Sequence, residues 1–270
     1  MLNFMKGSIF SRNQGSSLKE EEGQKIQSLA VWGSPGSGKT AVSTRLAKYL
    51  ADKKHNTVLL LCDMTAPMLP CICPPSDLEC ERSLGSILAA THITDILIKQ
   101  NCVTLKKIEY LTVIGMLKGE NVFTYPPYTQ ELALELLKRL REIAPYIIID
   151  CGSYIAHDIL SAVSLLEADS VLRLVNCDLK SISYLSSQLP LLMDQKWDAE
   201  KQYKVASNLK ANQAGEHIEQ VLGSVSFKIP YSSELENLAL AGNLFGDLAM
   251  KESRGFRSEI AKIAKEVFGV

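Results

Sequence analysis

Residues 33–40, GSPGSGKT, have the spacing G-x-x-x-x-G-K-S/T of a phosphate-binding loop. Glycines let the backbone fold around phosphate oxygens and point N–H groups at them, and the N-terminus of a following helix adds partial positive charge. In such a loop Lys39 is expected to reach the β- and γ-phosphates, and the Thr40 hydroxyl to hold Mg²⁺. The predicted nucleotide-binding residues of the loop are Ser34, Pro35, Gly36, Ser37, Gly38, Lys39, Thr40 and Ala41.

A phosphate-binding loop normally works with an acidic residue on a neighbouring strand that fixes Mg²⁺ or its water. Two candidates end apolar runs: Asp63 ends NTVLLLCD and Asp150 follows YIII. A buried strand of a parallel sheet delivers its last residues to the carboxyl edge, where ligands of open α/β sheets bind. We predict Asp150 as a metal ligand and Asp63 as a catalytic residue that positions the attacking water or the metal's outer shell. Either aspartate could instead cap a turn or helix.

The elements around these residues alternate in type. Short apolar segments predict buried strands, and amphipathic segments between them predict helices, which together indicate an α/β fold with a doubly wound, mostly parallel sheet. The strand segments are QSLAVW, NTVLLLCD, YLTVIGM, YIIIDCG, SVLRLVNCD and YKVASNLK, and the helical segments are TAVSTRLAKYLADKK, ELALELLKRLREIA, LKSISYLSSQLPLLMD and FRSEIAKIAKEVF. Residues 1–26 are polar enough to predict a flexible lead-in, and residues 27–270 a single nucleotide-binding domain.

The composition is that of an ordinary globular protein. The 270 residues include 29 basic and 30 acidic side chains, a formal net charge of -1 that gives no general attraction for nucleic acid. Seven scattered cysteines favour a reducing cytosol, and the chain has no apolar run of membrane-spanning length. We therefore expect a cytoplasmic protein, with a peripheral place at the inner face of the membrane as an alternative.

The segments GSPGSGKT, VLLLCD, YIIIDCGS, VASNLK and IPYSSELENLALAG together resemble the MinD/ParA family of P-loop ATPases, from about residue 27 to the C-terminus. The resemblance implies that ATP or ADP binds with Mg²⁺ and that the nucleotide controls homodimerisation. It also implies that Asn208, Pro230 and Tyr231 surround the adenine, with a helix following in ELENLALAG. From the residues alone, the preferred interpretation of Asn208 is a turn residue that ends a strand.

Two positions depart from the family. Where its members usually carry a signature lysine early in the loop, this chain has Ser34, and Thr65 stands where a second aspartate positions water. A neutral hydroxyl cannot offset phosphate charge as an ammonium does, so hydrolysis is predicted to be slow. The loop is similar to that of TadZ/CpaE-like members, which lack the lysine, and to that of bacterial tyrosine kinases. The absence of a tyrosine-rich tail after Tyr231 argues against a kinase, while a catalytically inactive nucleotide-binding scaffold stays an alternative.

The resemblance implies a positioning switch for a larger machine, such as a pilus, secretion, conjugation or DNA-partition complex, through an unidentified protein partner. DNA or a membrane surface is a further candidate partner. Cys71, Cys73 and Cys80 lie in a proline-rich segment that predicts a rigid, non-helical loop, either structural or partner-contacting, more readily than a metal site. In the last helix, Phe256 and Ile260 belong to an apolar face that fits packing on the sheet or, alternatively, gripping a membrane.

Overall fold

The computed structural model of the chain describes residues 27–72, 76, 82–188, 190, 197–210, 219 and 223–270. The predicted lead-in of residues 1–26 lies outside this part. The strands are β1 (Gln27–Gly33), β2 (Thr57–Leu61), β3 (Val103–Leu105), β4 (Ile108–Ile114), β5 (Tyr146–Asp150), β6 (Ser170–Asn176), β7 (Gln202–Leu209) and β8 (Phe227–Pro230). They form one sheet with the order β3-β4-β2-β5-β1-β6-β7-β8.

Helices fill the connections between the strands. They are α1 (Lys39–Asp52), α2 (Leu69–Ile72), α3 (Leu84–Leu88), α4 (Asp95–Gln100), α5 (Gln130–Ile143), α6 (Ile159–Glu167), α7 (Leu179–Gln188), α8 (Ser233–Leu240) and α9 (Arg254–Phe268). Short 3₁₀ turns occupy Ile155–His157, Ala199–Lys201 and Lys251–Ser253. Several helices begin at a side-chain cap: Ser232, for example, accepts a hydrogen bond from the backbone N–H of Leu235 at the start of α8.

Every strand pair is parallel except β3–β4, which is antiparallel. The strand order reverses around β1, which pairs with β5 on one side and β6 on the other. Such a reversal opens a crevice at the carboxyl ends of the strands, where ligands of this architecture bind. The loop after β1 lies at that crevice.

The core has two apolar layers, one on each face of the sheet. Successive strand residues alternate between the layers, so Ala30 and Trp32 belong to one and Leu29 and Val31 to the other. The first layer packs under α3 to α7, and the second under α1, α2, α8 and α9. The predicted fold class, a doubly wound and mostly parallel α/β sheet, is confirmed.

The last helix uses its apolar face for packing. Phe256, Ile260 and Ile263 are buried in the second layer of the core, as the sequence pattern predicted for a helix lying on a sheet. In the part of the chain that the structure describes, no helix combines the length and hydropathy needed to cross a membrane.

The proline-rich segment departs from its prediction. Leu69–Ile72 forms one helical turn, whereas the four prolines of the segment predicted a non-helical loop. Pro70 is compatible with this turn because the N–H groups of a first turn have no intrahelical acceptor, so proline loses nothing there. Residues 189 and 191–194, near the end of the predicted helix LKSISYLSSQLPLLMD, lie outside the described residues, and the observed helix ends at Gln188.

Candidate nucleotide-binding site

The phosphate-binding loop joins the end of β1 to the start of α1. Gly36 and Gly38 have φ angles of 77° and 81°, in the left-handed region that glycine adopts without a steric penalty. At Gly33 the constraint is space: a Cβ atom would lie 2.0 Å from the carbonyl oxygen of Leu174 on β6. At each of these three positions, the backbone geometry therefore favours glycine over any residue with a Cβ atom.

The start of α1 offers unsatisfied N–H groups to the crevice. Its first helical hydrogen bond runs from Val42 N to Gly38 O, and the N-cap residue Gly38 supplies no side-chain cap. The N–H groups of the first turn have no intrahelical partner in any α-helix. Within the described residues, the buried Ser37 hydroxyl also lacks a hydrogen-bond partner. This cradle fits an anion such as phosphate.

Lys39 lies across the mouth of the loop. Its Nζ donates to Ser153 Oγ at 2.7 Å, and Ser153 Oγ in turn donates to the carbonyl oxygen of Gly33 at 3.1 Å. Burial lowers the pKa of Lys39, and the nearby carboxylates of Asp150 and Asp63 oppose that shift. The ammonium group is thus held between the loop and the end of β5, where terminal phosphates would place their negative charge.

Asp150 and Thr40 form the other half of the site. Thr40 Oγ1 donates to Asp150 Oδ2 at 2.6 Å, and Ser43 Oγ donates to Asp150 Oδ1 at 3.2 Å. The Asp150 side chain is only 2 % exposed. Burial raises its pKa to about 6, against the opposing effects of Thr40, Lys39 and Ser43. A hydroxyl beside a carboxylate is an oxygen donor set that fits Mg²⁺, so these residues are suited to the ion that the loop implies.

Asp63, the other predicted acid, lies just beyond the neighbouring strand β2. Its Oδ1 accepts hydrogen bonds from the backbone N–H groups of Thr65 and Ala66, each at 2.9 Å. The side chain therefore closes a turn. This is the alternative that the sequence analysis gave to a catalytic role. Its charge still reaches the site, since it acts on the pKa values of Lys39 and Asp150.

Ser34 faces the protein interior. It is fully buried, its backbone N–H donates to the carbonyl of Leu174 at 3.2 Å, and its Oγ donates to Ser181 Oγ of α7 at 2.9 Å. The side chain at this position is therefore part of the loop's internal bonding. Pro35 and Ala41, the remaining predicted loop residues, are partly exposed.

The predicted base-binding residues lie together beside the loop. Asn208, Pro230 and Tyr231 line a cleft of about 440 Å³ that the glycines Gly36 and Gly38 also border. A second group of residues completes the lining: Ala41, Asn176, Cys177, Asp178, Lys210 and Glu236. The cleft thus runs from the phosphate-binding loop to the segment after β8, the direction in which a nucleoside would extend from its phosphates.

Asn176 is a site residue that the sequence prediction missed. Its Nδ2 donates to the carbonyl of Gly36 at 3.1 Å, and its Oδ1 accepts from Asn208 Nδ2 at 3.0 Å. Asn208 has φ 53°, a left-handed conformation that asparagine tolerates better than most residues. Asn176 is the last residue of β6 and Asn208 the next-to-last residue of β7, so an asparagine after an apolar run was the signal that would have found Asn176. Ser153 was visible in the same way, three residues after Asp150.

In the described part of the chain, the cysteines of the proline-rich segment and His157 do not line the nucleotide cleft. Cys71 is exposed in α2, whereas Cys73 and Cys80 lie outside the described residues, so the role of that segment stays a prediction. His157 is exposed in a 3₁₀ turn after β5 and borders a different cavity from the nucleotide cleft. Within the described ranges, no three histidine, cysteine or acidic side chains converge as a metal cluster.

No protein-family model and no curated protein matches the sequence. Comparison with solved structures, in contrast, finds proteins that share the fold. A ParA family ATPase from Chlorobium tepidum superposes with a TM-score of 0.72 at 16% identity, covering 88% of this chain and 98% of that one. MinD from Pyrococcus horikoshii, solved with Mg-ADP, gives a TM-score of 0.67 at 16% identity, with 89% and 95% of the two chains covered. A putative plasmid partition protein from Borrelia burgdorferi, bound to AMPPNP, gives 0.67 at 16% identity over 90% and 99%. This chain therefore has the fold of the ParA and MinD ATPases.

Proposed function

We propose that residues 27–270 form an ATP-binding domain of the MinD/ParA type that takes its nucleotide with Mg²⁺ and switches between partners or self-association states. The observation that carries this proposal is the convergence of Lys39 and the Thr40–Asp150 pair at one end of a cleft whose other end holds Asn208 and Tyr231. Cation, metal donors and base pocket lie in the order that a nucleoside triphosphate requires.

Each residue has one task in this arrangement. Lys39 neutralises the terminal phosphates, and the N–H groups at the start of α1 bind their oxygens. Thr40 and Asp150 hold the metal ion, which supplies charge neutralisation at the phosphates when bound. Asn208 and Tyr231 flank the base, with Pro230 closing the cleft beside them.

The solved relatives support the class of ligand. The Pyrococcus horikoshii MinD structure contains Mg-ADP, and the Borrelia burgdorferi partition protein contains AMPPNP. Both are adenine nucleotides, and both proteins share the fold over nearly nine-tenths or more of this chain. ATP with Mg²⁺ is therefore the ligand we assign to the cleft.

Hydrolysis on this scaffold is slow in our proposal. Ser34 brings no charge to the phosphates and is bonded to Ser181, while Thr65 is an exposed hydroxyl where family members carry a water-positioning aspartate. A site that grips nucleotide firmly and turns it over slowly suits a protein that reports its nucleotide state to a partner. We therefore place this chain among positioning switches for a larger machine, of the pilus, secretion, conjugation or DNA-partition kind.

The test combines turnover with self-association. Phosphate release from Mg-ATP is measured for the purified chain, together with sedimentation velocity in ATP, in ADP and without nucleotide. We expect slow turnover and a larger sedimenting species in ATP, with both lost in Lys39→Ala. Lys48→Ala is the matched control, since Lys48 lies on the same helix but pairs with Asp52 at 2.9 Å. Equal behaviour of the two lysine variants would overturn the site assignment.

A catalytically inactive scaffold is the second candidate, and the Ser34–Ser181 hydrogen bond favours it. Ser34 is held in that bond, and Lys39 is the single lysine in the loop sequence GSPGSGKT. On this reading Mg-ATP binds and alters self-association, but phosphate release equals that of Lys39→Ala. The same pair of measurements therefore separates the two candidates.

A further inference from the structure

A second cavity, which we call the switch pocket, lies between residues 64–65, 85–88, 116–128 and 157–159. These segments follow β2, β4 and β5 and include part of α3, so the pocket opens at the same sheet edge as the nucleotide cleft. Its volume is about 250 Å³. Pockets for drug-sized molecules usually enclose about 300–1,000 Å³, so this one fits a large side chain better than a cofactor.

The lining of the switch pocket is apolar with an acidic wall. Met64, Leu88, Met116 and Tyr125 are among its apolar lining residues, and Asp158 is its acidic residue. No lysine or arginine lines it in the described part of the chain. An apolar floor beside a carboxylate favours a ligand that has an apolar body and a positive charge.

The walls are built before any ligand arrives. Glu120 accepts hydrogen bonds from Leu117 N at 2.7 Å, from Tyr125 OH at 2.5 Å and from Ser83 Oγ at 2.5 Å. The Tyr125 ring lies directly on Gly85, where a Cβ atom would come within 2.1 Å of it. A pocket with fixed walls loses little conformational entropy when a ligand binds, which favours recognition of one particular shape.

The rim of the switch pocket carries exposed apolar side chains. Val122 and Ile159 line the pocket and are 48 % and 41 % exposed, and Phe123, the neighbour of Val122 in the chain, is 92 % exposed. Hydrogen bonds within the turn, from Phe123 N to Asn121 Oδ1 and from Asn121 N to Thr124 Oγ1, hold Phe123 outward. Exposed apolar residues that surround a preformed pocket are typical of a protein–protein contact surface.

The electrostatics of the rim define the charge of the partner. Asp158 accepts from Ser161 N at 2.9 Å and from Ser161 Oγ at 2.5 Å, and burial together with the neighbouring Asp63 carboxylate raises its pKa. The lining includes His157 but no lysine or arginine, and the two carboxylates of Asp158 and Asp63 repel each other. A positive group from a partner would relieve that repulsion.

We propose that the switch pocket binds a segment of a partner protein that inserts one large apolar side chain, such as Phe, Trp or Leu, and places a neighbouring Lys or Arg beside Asp158 and Asp63. Met64 directly follows Asp63, and Asp158 lies in the segment that begins with Ser153, the hydrogen-bond partner of Lys39. The partner therefore contacts the two segments that border the phosphates. We therefore expect partner binding and nucleotide binding to be coupled, and this part of the inference rests on the proposed nucleotide switch. Thermodynamic linkage then requires that nucleotide and partner change each other's affinity by the same factor.

The pocket itself is tested with defined peptides and the full chain carrying ¹³C-methyl methionine. The probes are short Gly/Ser peptides with one Phe, Trp, Leu or Ala flanked by two lysines, and the same set flanked by two glutamates. We expect the lysine-flanked Phe, Trp and Leu peptides to shift the methyl signals of Met64 and Met116 but not that of the exposed Met250. Affinity should fall at least about tenfold for the Ala anchor or the glutamate flanks.

A matched pair of surface variants locates the contact. Val122→Lys places a like charge on the rim and is expected to weaken the lysine-flanked Phe peptide at least about tenfold. Ile96→Lys changes an exposed β-branched residue on α4, 67 % exposed, and should leave peptide binding unchanged. Both variants should bind ATP normally.

Three results would each decide a separate claim. Absence of Met64 and Met116 shifts with every peptide, or equal weakening by the two variants, would overturn the pocket as a docking site. Peptide affinity that is identical with and without Mg-ATP, in a protein that binds Mg-ATP, would overturn the coupling. Peptide binding in a chain that binds no nucleotide would support the docking site while overturning the proposed nucleotide function.

Discussion

The two halves of the carboxyl sheet edge are built on opposite plans. On the phosphate side, around β1, β6 and β7, polar side chains donate hydrogen bonds to the backbone of the loop: Asn176 to Gly36 O and Ser207 to Ser37 O at 2.7 Å. On the switch side, around β2, β4 and β5, an apolar pocket opens beside the exposed Val122.

The difference follows from what each half would bind. Phosphates have one geometry and strong charge, so a rigid loop with fixed donors recognises them well. A partner protein supplies apolar area and shape, and an exposed apolar rim with a preformed pocket suits that task. The border between the halves runs between Lys39 and Asp63, so in our proposal a change in the nucleotide would act next to the surface that a partner contacts.

Loss of the Lys39 ammonium should have the largest effect. Lys39→Ala removes a buried cation from the phosphates, a kind of truncation that costs roughly 2–5 kcal/mol, or at least about 30-fold in affinity. Titration with a fluorescent ATP analogue measures it. Binding of the switch-side peptides without nucleotide should be unchanged, and a parallel loss there would show that the two halves are one site.

Asp150→Asn should act in opposite directions on stability and on metal binding. The folded-state pKa of about 6 lies above the ordinary 3.8. The nucleotide-free protein therefore loses stability as pH rises from about 4 to about 6, by up to roughly 3 kcal/mol, because the unfolded chain releases this proton first. At pH 8 the asparagine variant should be the more stable one by denaturant unfolding, while its ATP affinity no longer responds to Mg²⁺.

The same titration predicts how wild-type metal binding depends on pH. Mg²⁺ needs the ionised carboxylate, so the enhancement of ATP affinity by Mg²⁺ should grow as pH rises through about 6 and then level off. Isothermal titration between pH 5 and 8 measures this. A flat profile in the wild type would remove Asp150 from the metal site.

Two glycines give a paired test of intermediate size. Gly33→Ala places a Cβ against the Leu174 carbonyl, which belongs to a sheet strand and cannot move away, so we expect a loss of about 3 kcal/mol in stability together with weaker ATP binding. Gly85→Ala meets the Tyr125 ring, a side chain that gives way more easily than sheet backbone, so the stability loss should be about 1 kcal/mol. ATP binding should survive in the second variant and peptide binding should fall. The reverse pattern would contradict the division into two halves.

Asn176→Ala should have the smallest effect. It removes the hydrogen bond to Gly36 O, with a typical net value of about 1 kcal/mol, or roughly fivefold in ATP affinity. Thermal unfolding without nucleotide should change little. Asn176→Asp is a useful companion, since it keeps the acceptor for Asn208 but loses the donor to Gly36. An unchanged affinity in both variants would mean that the loop holds its shape without this contact.

The sequence predicted the phosphate side better than the switch side. A glycine spacing, a buried run before Asp150 and a strand after the loop are local signals, because each depends on a few adjacent residues. They placed Lys39, Thr40 and Asp150 together at one crevice, as the structure also does. Boundaries were less accurate, since β2 ends at Leu61, before the predicted end at Asp63.

The remainder depended on contacts that no local pattern records. Ser34 was visible as a departure from the family, but its partner Ser181 lies 147 residues away. Helix α6 was missed because its residues, ILSAVSLLE, are largely apolar and buried and give no clear amphipathic period. The switch pocket joins segments after three different strands, so its existence follows only from the order of the strands in the sheet.

The edges of the sheet have a consequence for self-assembly of a different kind. In the described chain, the outermost strands are the three-residue β3 and the four-residue β8, and β8 ends in Pro230, which has no N–H to donate. Each edge therefore presents very little backbone on which a foreign strand could template itself. We therefore expect that concentrated protein does not polymerise by strand pairing at these edges, although the strands between them consist largely of apolar residues.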